Sequence, residues 1–190
     1  MDSIKNYLQE SISVKESILD DVTILNAILS AKEHLIQTLN QNGKIMLAGN
    51  GGSAADSQHL AAEFVSKFKK DRRPLSAIAL SVDTSVLTAL SNDFGYEEVF
   101  SRQIEALGKK GDAFLAFSTS GSSENILKAL KTAKNLGIFT VFFTSNKAYL
   151  EKELADVLIK IPSKNTPIIQ EAHITLGHIL CKLVEDALFE

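Results

Sequence analysis

Tryptophan is absent from this 190-residue chain, cysteine occurs once and proline three times. The single cysteine, Cys181, excludes an intrachain disulfide and suits a reducing compartment, and its apolar, helix-like surroundings mark it as an inert buried thiol. With so little proline, no low-complexity stretch and no convincing repeat, the sequence offers no linker, and one compact unit over 1–190 is expected. Strong charge of one sign is missing too: a net charge of −3 and a pI near 5.8 give no long-range pull on nucleic acid or a membrane surface. Any phosphate must therefore be captured by a local site. No apolar run approaches spanning length, and the N-terminal MDSIKNYLQESI lacks a basic region, an apolar core and a cleavage site, so a cytoplasmic protein is expected.

What is present is an ordinary globular balance, 45% hydrophobic and 23% charged, enough to bury a proper core. Residues 3–41 place Ile4, Leu8, Ile12, Ile18, Val22, Leu25 and Ile28 at helical spacing, which predicts two helices before the first strand. Five short apolar runs follow: IMLA at 45–48, AIAL at 77–80, AFLAF at 113–117, FTVFF at 139–143 and VLIKI at 157–161. Segments of helical periodicity begin near Ser53, Thr84, Tyr96, Ser122 and Lys147, and a long one runs from about Pro167 to the end. This alternation predicts an α/β fold whose five-stranded parallel sheet is covered by helices on both faces, with ligands beyond the carboxyl ends of the strands.

Two loops after strands carry the chemistry. In AGNGGSAADSQH, at 48–59, Gly49, Gly51 and Gly52 permit close backbone approach, and Ser53 is placed to cap the next helix and leave its amides facing an anion. In STSGSSEN, at 118–125, hydroxyls of Ser118, Thr119, Ser120, Ser122 and Ser123 surround Gly121 before another helix. Such loops bind a phosphate monoester by hydrogen bonds and helix dipoles, although either alone also reads as an ordinary Gly/Ser turn. Neither has the lysine of a P-loop, and no acidic residue supports a dinucleotide fingerprint, so a nucleotide cofactor is not indicated.

The helix after the first loop sets His59 and Glu63 four residues apart, on one face, where both can reach one metal ion or simply form a surface pair. Near the C-terminus, IIQEAHITLGHIL offers Gln170, Glu171, His173 and His178 on a helix whose remaining face is apolar. Gln170 and His178 lie eight residues apart, so helix geometry alone does not bring both to one ion. The basic run KFKKDRR at 67–73 reads as a solvated helix end, with steering of an anionic substrate as the less favoured role, and none is assigned.

Taken in order, AGNGGSAADSQH, SNDFGYEEVFSRQ at 91–103, FSTSGSSEN and IQEAHITLGHIL resemble the motifs of phosphoheptose isomerases and cover most of the chain. The resemblance implies a SIS (sugar isomerase) fold, a three-layer α/β/α, flavodoxin-like core over 42–190. It gives the extra N-terminal helices of 1–41 to packing and oligomerisation. It implies one zinc ion per subunit on His59, Glu63, Gln170 and His178, with Glu63 and His178 as the proton-transferring pair. Ser53, Ser118, Thr119, Ser120 and Ser123 fall around the substrate phosphate. Asn50, Gly51, Gly52, Asn92 and Asp93, with Glu63 and Gln170, fall along the sugar chain.

The implied reaction converts sedoheptulose 7-phosphate to the heptose 7-phosphate through a metal-assisted enediol, the first step toward nucleotide-activated heptose. The implied assembly is a homotetramer with active sites at subunit interfaces, a small-molecule sugar phosphate as its ligand, and neither nucleic acid nor membrane as partner. Lys67 and Ile168 depart from the arginines expected of many relatives. A non-catalytic SIS-fold regulator of the kind that associates with the DnaA initiator is a second reading. It is disfavoured because the metal and acid–base set is complete here. An isomerase of another sugar phosphate, or a sensor without turnover, are further readings.

Overall fold

A computed structural model describes residues 1–147 and 153–189. Two helices lead, α1 (Asp2–Leu19) and α2 (Val22–Asn40), the second capped by Asp21, whose carboxylate accepts from the amides of Thr23 and Ile24. The five predicted strands follow as β1 (Ile45–Gly49), β2 (Ala77–Ala79), β3 (Ala113–Phe117), β4 (Phe139–Ser145) and β5 (Val157–Ile161), all parallel in the order β2-β1-β3-β4-β5. Every residue of β1 and β3 is buried, which explains why these strands read as continuous apolar runs: a central parallel strand is covered on both sides. At the edge, β5 alternates buried and half-buried residues.

Helices α3 (Gly52–Val65) and α7 (Thr166–Leu188) join α1 and α2 on one face of the sheet, around a core that includes Leu35, Leu60, Phe64, Phe117, Phe143 and Leu180. The other face is covered by α5 (Ser101–Leu107) and α6 (Glu124–Asn135), with α4 (Thr84–Phe94) beside them, over Met46, Phe100, Phe114, Ile126 and Phe142. A single 3-10 turn at Tyr96–Glu98 stands where a helix from Tyr96 was expected, and α5 starts only at Ser101. The helix expected from near Lys147 falls on residues 148–152, outside those described, with turns at 146–147 and at Glu153.

The chain therefore leaves β1 toward one face of the sheet and β3 toward the other. That divergence at adjacent strands opens a crevice at their carboxyl ends, the place where open parallel sheets receive ligands. The two loops singled out by sequence, after β1 and after β3, flank this crevice.

Candidate active site

The first loop enters α3 differently from the sequence expectation. Gly51, at φ +56°, is the N-cap, a backbone conformation that glycine adopts without penalty, and Ser53 lies inside the first turn rather than capping it. The amide of Ser53 bonds the carbonyl of Asn50, and those of Ala54 and Ala55 bond that of Gly51, so these three are not free for an anion. Gly52 has a steric duty, because a Cβ there would stand 2.4 Å from the side-chain amide of Gln170.

That contact belongs to a longer one. α7 runs alongside α3 in the same direction: Gly52 meets Gln170 at the start, and Leu60 meets Gly177 two turns later, where a Cβ on Gly177 would lie 2.6 Å from Leu60 Cδ1. Glycine lets the two helices touch there. The residues next to that contact, His59 and His178, are brought together across 119 positions of sequence, with their Nε2 atoms 2.9 Å apart. His59 Nε2 is 3.2 Å from Glu63 Oε1, and the ligating atoms of His59, Glu63 and His178 all lie within 4.8 Å of one another. In a tetrahedral zinc site with bonds of ~2.1 Å, ligand atoms stand roughly 3.4 Å apart, so this donor set of two imidazoles and a carboxylate fits the implied ion in both chemistry and spacing. His59 is half exposed, at 51%, so the cluster opens toward solvent on its α3 side.

The second loop is knitted by its own hydroxyls. Ser118 Oγ lies 2.9 Å from Ser123 Oγ and 3.4 Å from Ser120 Oγ, and accepts from the Gly121 amide. Ser120 Oγ accepts from both the amide and the hydroxyl of Ser122. The carbonyl of Thr119 accepts from Ser145 Oγ at the end of β4, and Ser123 precedes α6 as its N-cap. The two loops are braced by a reciprocal amide pair: Asn50 and Asn125 each donate to the other at 2.9 Å, and Tyr96 donates to Asn50 Oδ1. The side chain of Asn50, assigned by resemblance to the sugar, thus also joins the loops.

The SIS domain signature matches residues 6–145. A phosphoheptose isomerase of Aneurinibacillus thermoaerophilus is 52% identical over 188 residues, 99% of this chain and 95% of that protein. The chain belongs to the phosphoheptose isomerase family. Among solved structures, the phosphoheptose isomerase GmhA of Neisseria gonorrhoeae superimposes with a TM-score of 0.88 at 37% identity, covering 97% of this chain and 98% of its own. A phosphoheptose isomerase from Francisella tularensis gives 0.91 at 32% identity, with 97% of each chain covered.

Of the residues that the family resemblance carries over, the structure gathers His59, Glu63 and His178 into one cluster and places Gln170 on the same helix pair, its amide nitrogen 3.5 Å from Asp56 Oδ1. Asn92 and Asp93 are exposed at the end of α4 and bond each other. Among the described residues no hydrogen bond ties them to either loop. Lys67 is exposed just past α3, whereas Ile168 is buried in the core at the start of α7, so that position presents no group to the site. Sequence reasoning missed Asp56. It lies one turn before His59 on the same face of α3 and is buried. Its Oδ2 has no hydrogen-bond partner among the described residues. Burial raises its pKa, against the lowering effects of the Gln170 amide and of His59 and His178. Asp56 thus lies within electrostatic reach of both histidines of the cluster.

Proposed function

We propose that this family member converts sedoheptulose 7-phosphate into D-glycero-D-manno-heptose 7-phosphate. The observation that carries the reading is the meeting of His59, Glu63 and His178 on the α3–α7 pair, α3 being the helix that follows the first loop. A zinc ion on His59, Glu63, Gln170 and His178 would supply Lewis-acid polarisation of the substrate carbonyl. The chain's own groups do the rest. The hydroxyls of Ser118, Thr119, Ser120 and Ser123, with Ser53 across the crevice, hold the dianionic phosphate and so fix the far end of the sugar. Glu63 takes the proton from C1, giving an enediol, and returns it to C2. His178 moves a proton from the oxygen on C1 to the oxygen on C2. Atoms balance: one carbon-bound proton and one oxygen-bound proton change places, and no redox partner is needed.

Assembly completes the site in this reading. Ile4, Leu8 and Ile12 form an exposed apolar stripe on α1, Leu25 and Leu29 another on α2, and α4 buries none of its residues. Second copies of the chain are the proposed occupants, in a homotetramer with active sites between subunits. No helix among the described residues is long and apolar enough to cross a membrane.

The test is incubation of the zinc-loaded protein with sedoheptulose 7-phosphate in deuterium oxide, followed by NMR, with Glu63→Gln alongside. Aldose formation with deuterium at C2 is expected from the wild type and not from the variant, which should still bind the phosphate. Wild-type turnover by Glu63→Gln would overturn the assignment of the base. Exchange without net aldose would mean another ketose phosphate.

A further inference from the structure

The basic run that reads as a solvated helix end does not all face water. Arg72 and Glu185 are each only 2% exposed at the side chain and form an ion pair, Nε to Oε1 at 2.9 Å. An isolated buried charge is costly, so both groups need full sets of partners. They have them. The Arg72 fork donates through Nη2 to the carbonyl of Glu63 at 2.8 Å and through Nη1 to that of Phe64 at 2.8 Å, with Ser66 and Arg73 carbonyls slightly farther. Glu185 Oε1 also accepts from the Phe68 amide, and Oε2 accepts from the amides of Lys69 and Lys70. Burial alone would raise the Glu185 pKa, but these amides and the guanidinium hold it below the usual carboxylate range.

The partners lead to the active site. The carbonyls of Glu63 and Phe64 belong to the last turn of α3, where no intrahelical donor remains, and one of them is the main chain of the proposed base itself. Glu185 lies seven residues after His178, two turns along the same face of α7. The ring of Phe68, whose amide Glu185 holds, lies 5.7 Å from the His178 imidazole, centroid to centroid. One ion pair thus grips the end of α3 behind Glu63, the segment that packs on His178, and α7.

We propose that Arg72 and Glu185 are positioning residues that set the separation of Glu63 from His178 before any metal or substrate arrives. This rests on the reading of His59, Glu63 and His178 as the metal and proton-transfer cluster. Lysine at position 72 keeps the charge but cannot reach Glu185 and two carbonyls at once. The alternative is an ion pair that only supports the fold, and metal affinity separates the two.

The test uses the full chain, stripped of metal, with zinc affinity read by competition against a chromophoric chelator, together with Tm, kcat and KM. Arg72→Lys and Glu185→Gln should each weaken zinc binding by about 10- to 100-fold, the usual effect of losing a group that orients a ligand. kcat should fall while KM for the sugar phosphate changes little, because the phosphate loop after β3 is not touched. Ile104→Val, in the core on the opposite face of the sheet, should lower Tm with zinc affinity unchanged. A folded Arg72→Lys with lowered Tm but wild-type zinc affinity and kcat would overturn the proposal. If neither variant folds, Phe68→Leu leaves the ion pair whole and should still weaken zinc binding; unchanged affinity there would sink the link to His178. His59→Ala keeps the two readings apart. If it binds zinc like the wild type, the cluster reading fails and the positioning role with it. If it loses zinc while Arg72→Lys does not, only the positioning role fails.

Discussion

His173 carries a single-residue consequence for stability. It is fully buried on α7, with Nε2 donating to the carbonyl of Thr144 while Nδ1 has no partner among the described residues. Burial lowers its pKa from 6.5 to about 4, against the raising effect of the Thr144 bond. The folded state therefore holds it neutral. Above pH 6.5 neither state binds a proton there and this contribution is complete; between 6.5 and 4 the unfolded chain takes up a proton that the folded chain refuses. Stability should fall by ~1.4 kcal/mol per pH unit across that window from this group alone, a total of about 3 kcal/mol. His173→Gln, whose Nε2 can keep the Thr144 bond, should remove that component. Urea unfolding of both proteins at pH 7 and pH 4.5 measures it, and an equal pH loss in the two would contradict the assignment.

The contact between α3 and α7 is the element on which the site depends. Gly177 lets Leu60 approach, so Gly177→Val should overpack the crossing at a cost of about 1–3 kcal/mol and part His59 from His178. Leu60→Ala in the same chain should recover part of the loss, with a coupling of at least ~0.5 kcal/mol in a double-mutant cycle of denaturant unfolding. Strict additivity would mean that the two side chains do not meet. This crossing also explains what the sequence could and could not show. His59 and Glu63 share a face by helix period alone, and the strands announced themselves because β1 and β3 are buried on both sides. The approach of His178 could be expected only from the family resemblance and not from helix period, because it depends on a glycine of one helix against a leucine of another. Asp56 went unseen because what distinguishes it is burial rather than type, and Arg72 because a charge run says nothing about which of its members turns inward. The start of α3 shifted because Gly51 rather than Ser53 is its cap, whereas α4 starts at Thr84 as read, capped by Asp83, whose carboxylate accepts from the Val86 amide.

At the scale of the whole molecule, the strand order decides where chemistry can happen. Because β1 and β3 are neighbours whose following helices lie on opposite faces, the loop after β1 and the Ser118–Ser123 loop face one crevice although α3 and α6 belong to different layers. The amide pair of Asn50 and Asn125 keeps its rims in register. In the proposed homotetramer a second copy covers the half-exposed His59 and closes the site. An enediol loses its protons to bulk water unless the site is closed, so a lone subunit should exchange solvent protons into the sugar more readily than it forms aldose. Catalytic competence then becomes a property of concentration. On serial dilution, activity per subunit should decline as light scattering reports smaller species, while deuterium washed into unreacted ketose rises relative to product formed. In the proposed assembly the rate per subunit would answer to the abundance of the enzyme as well as to that of its substrate.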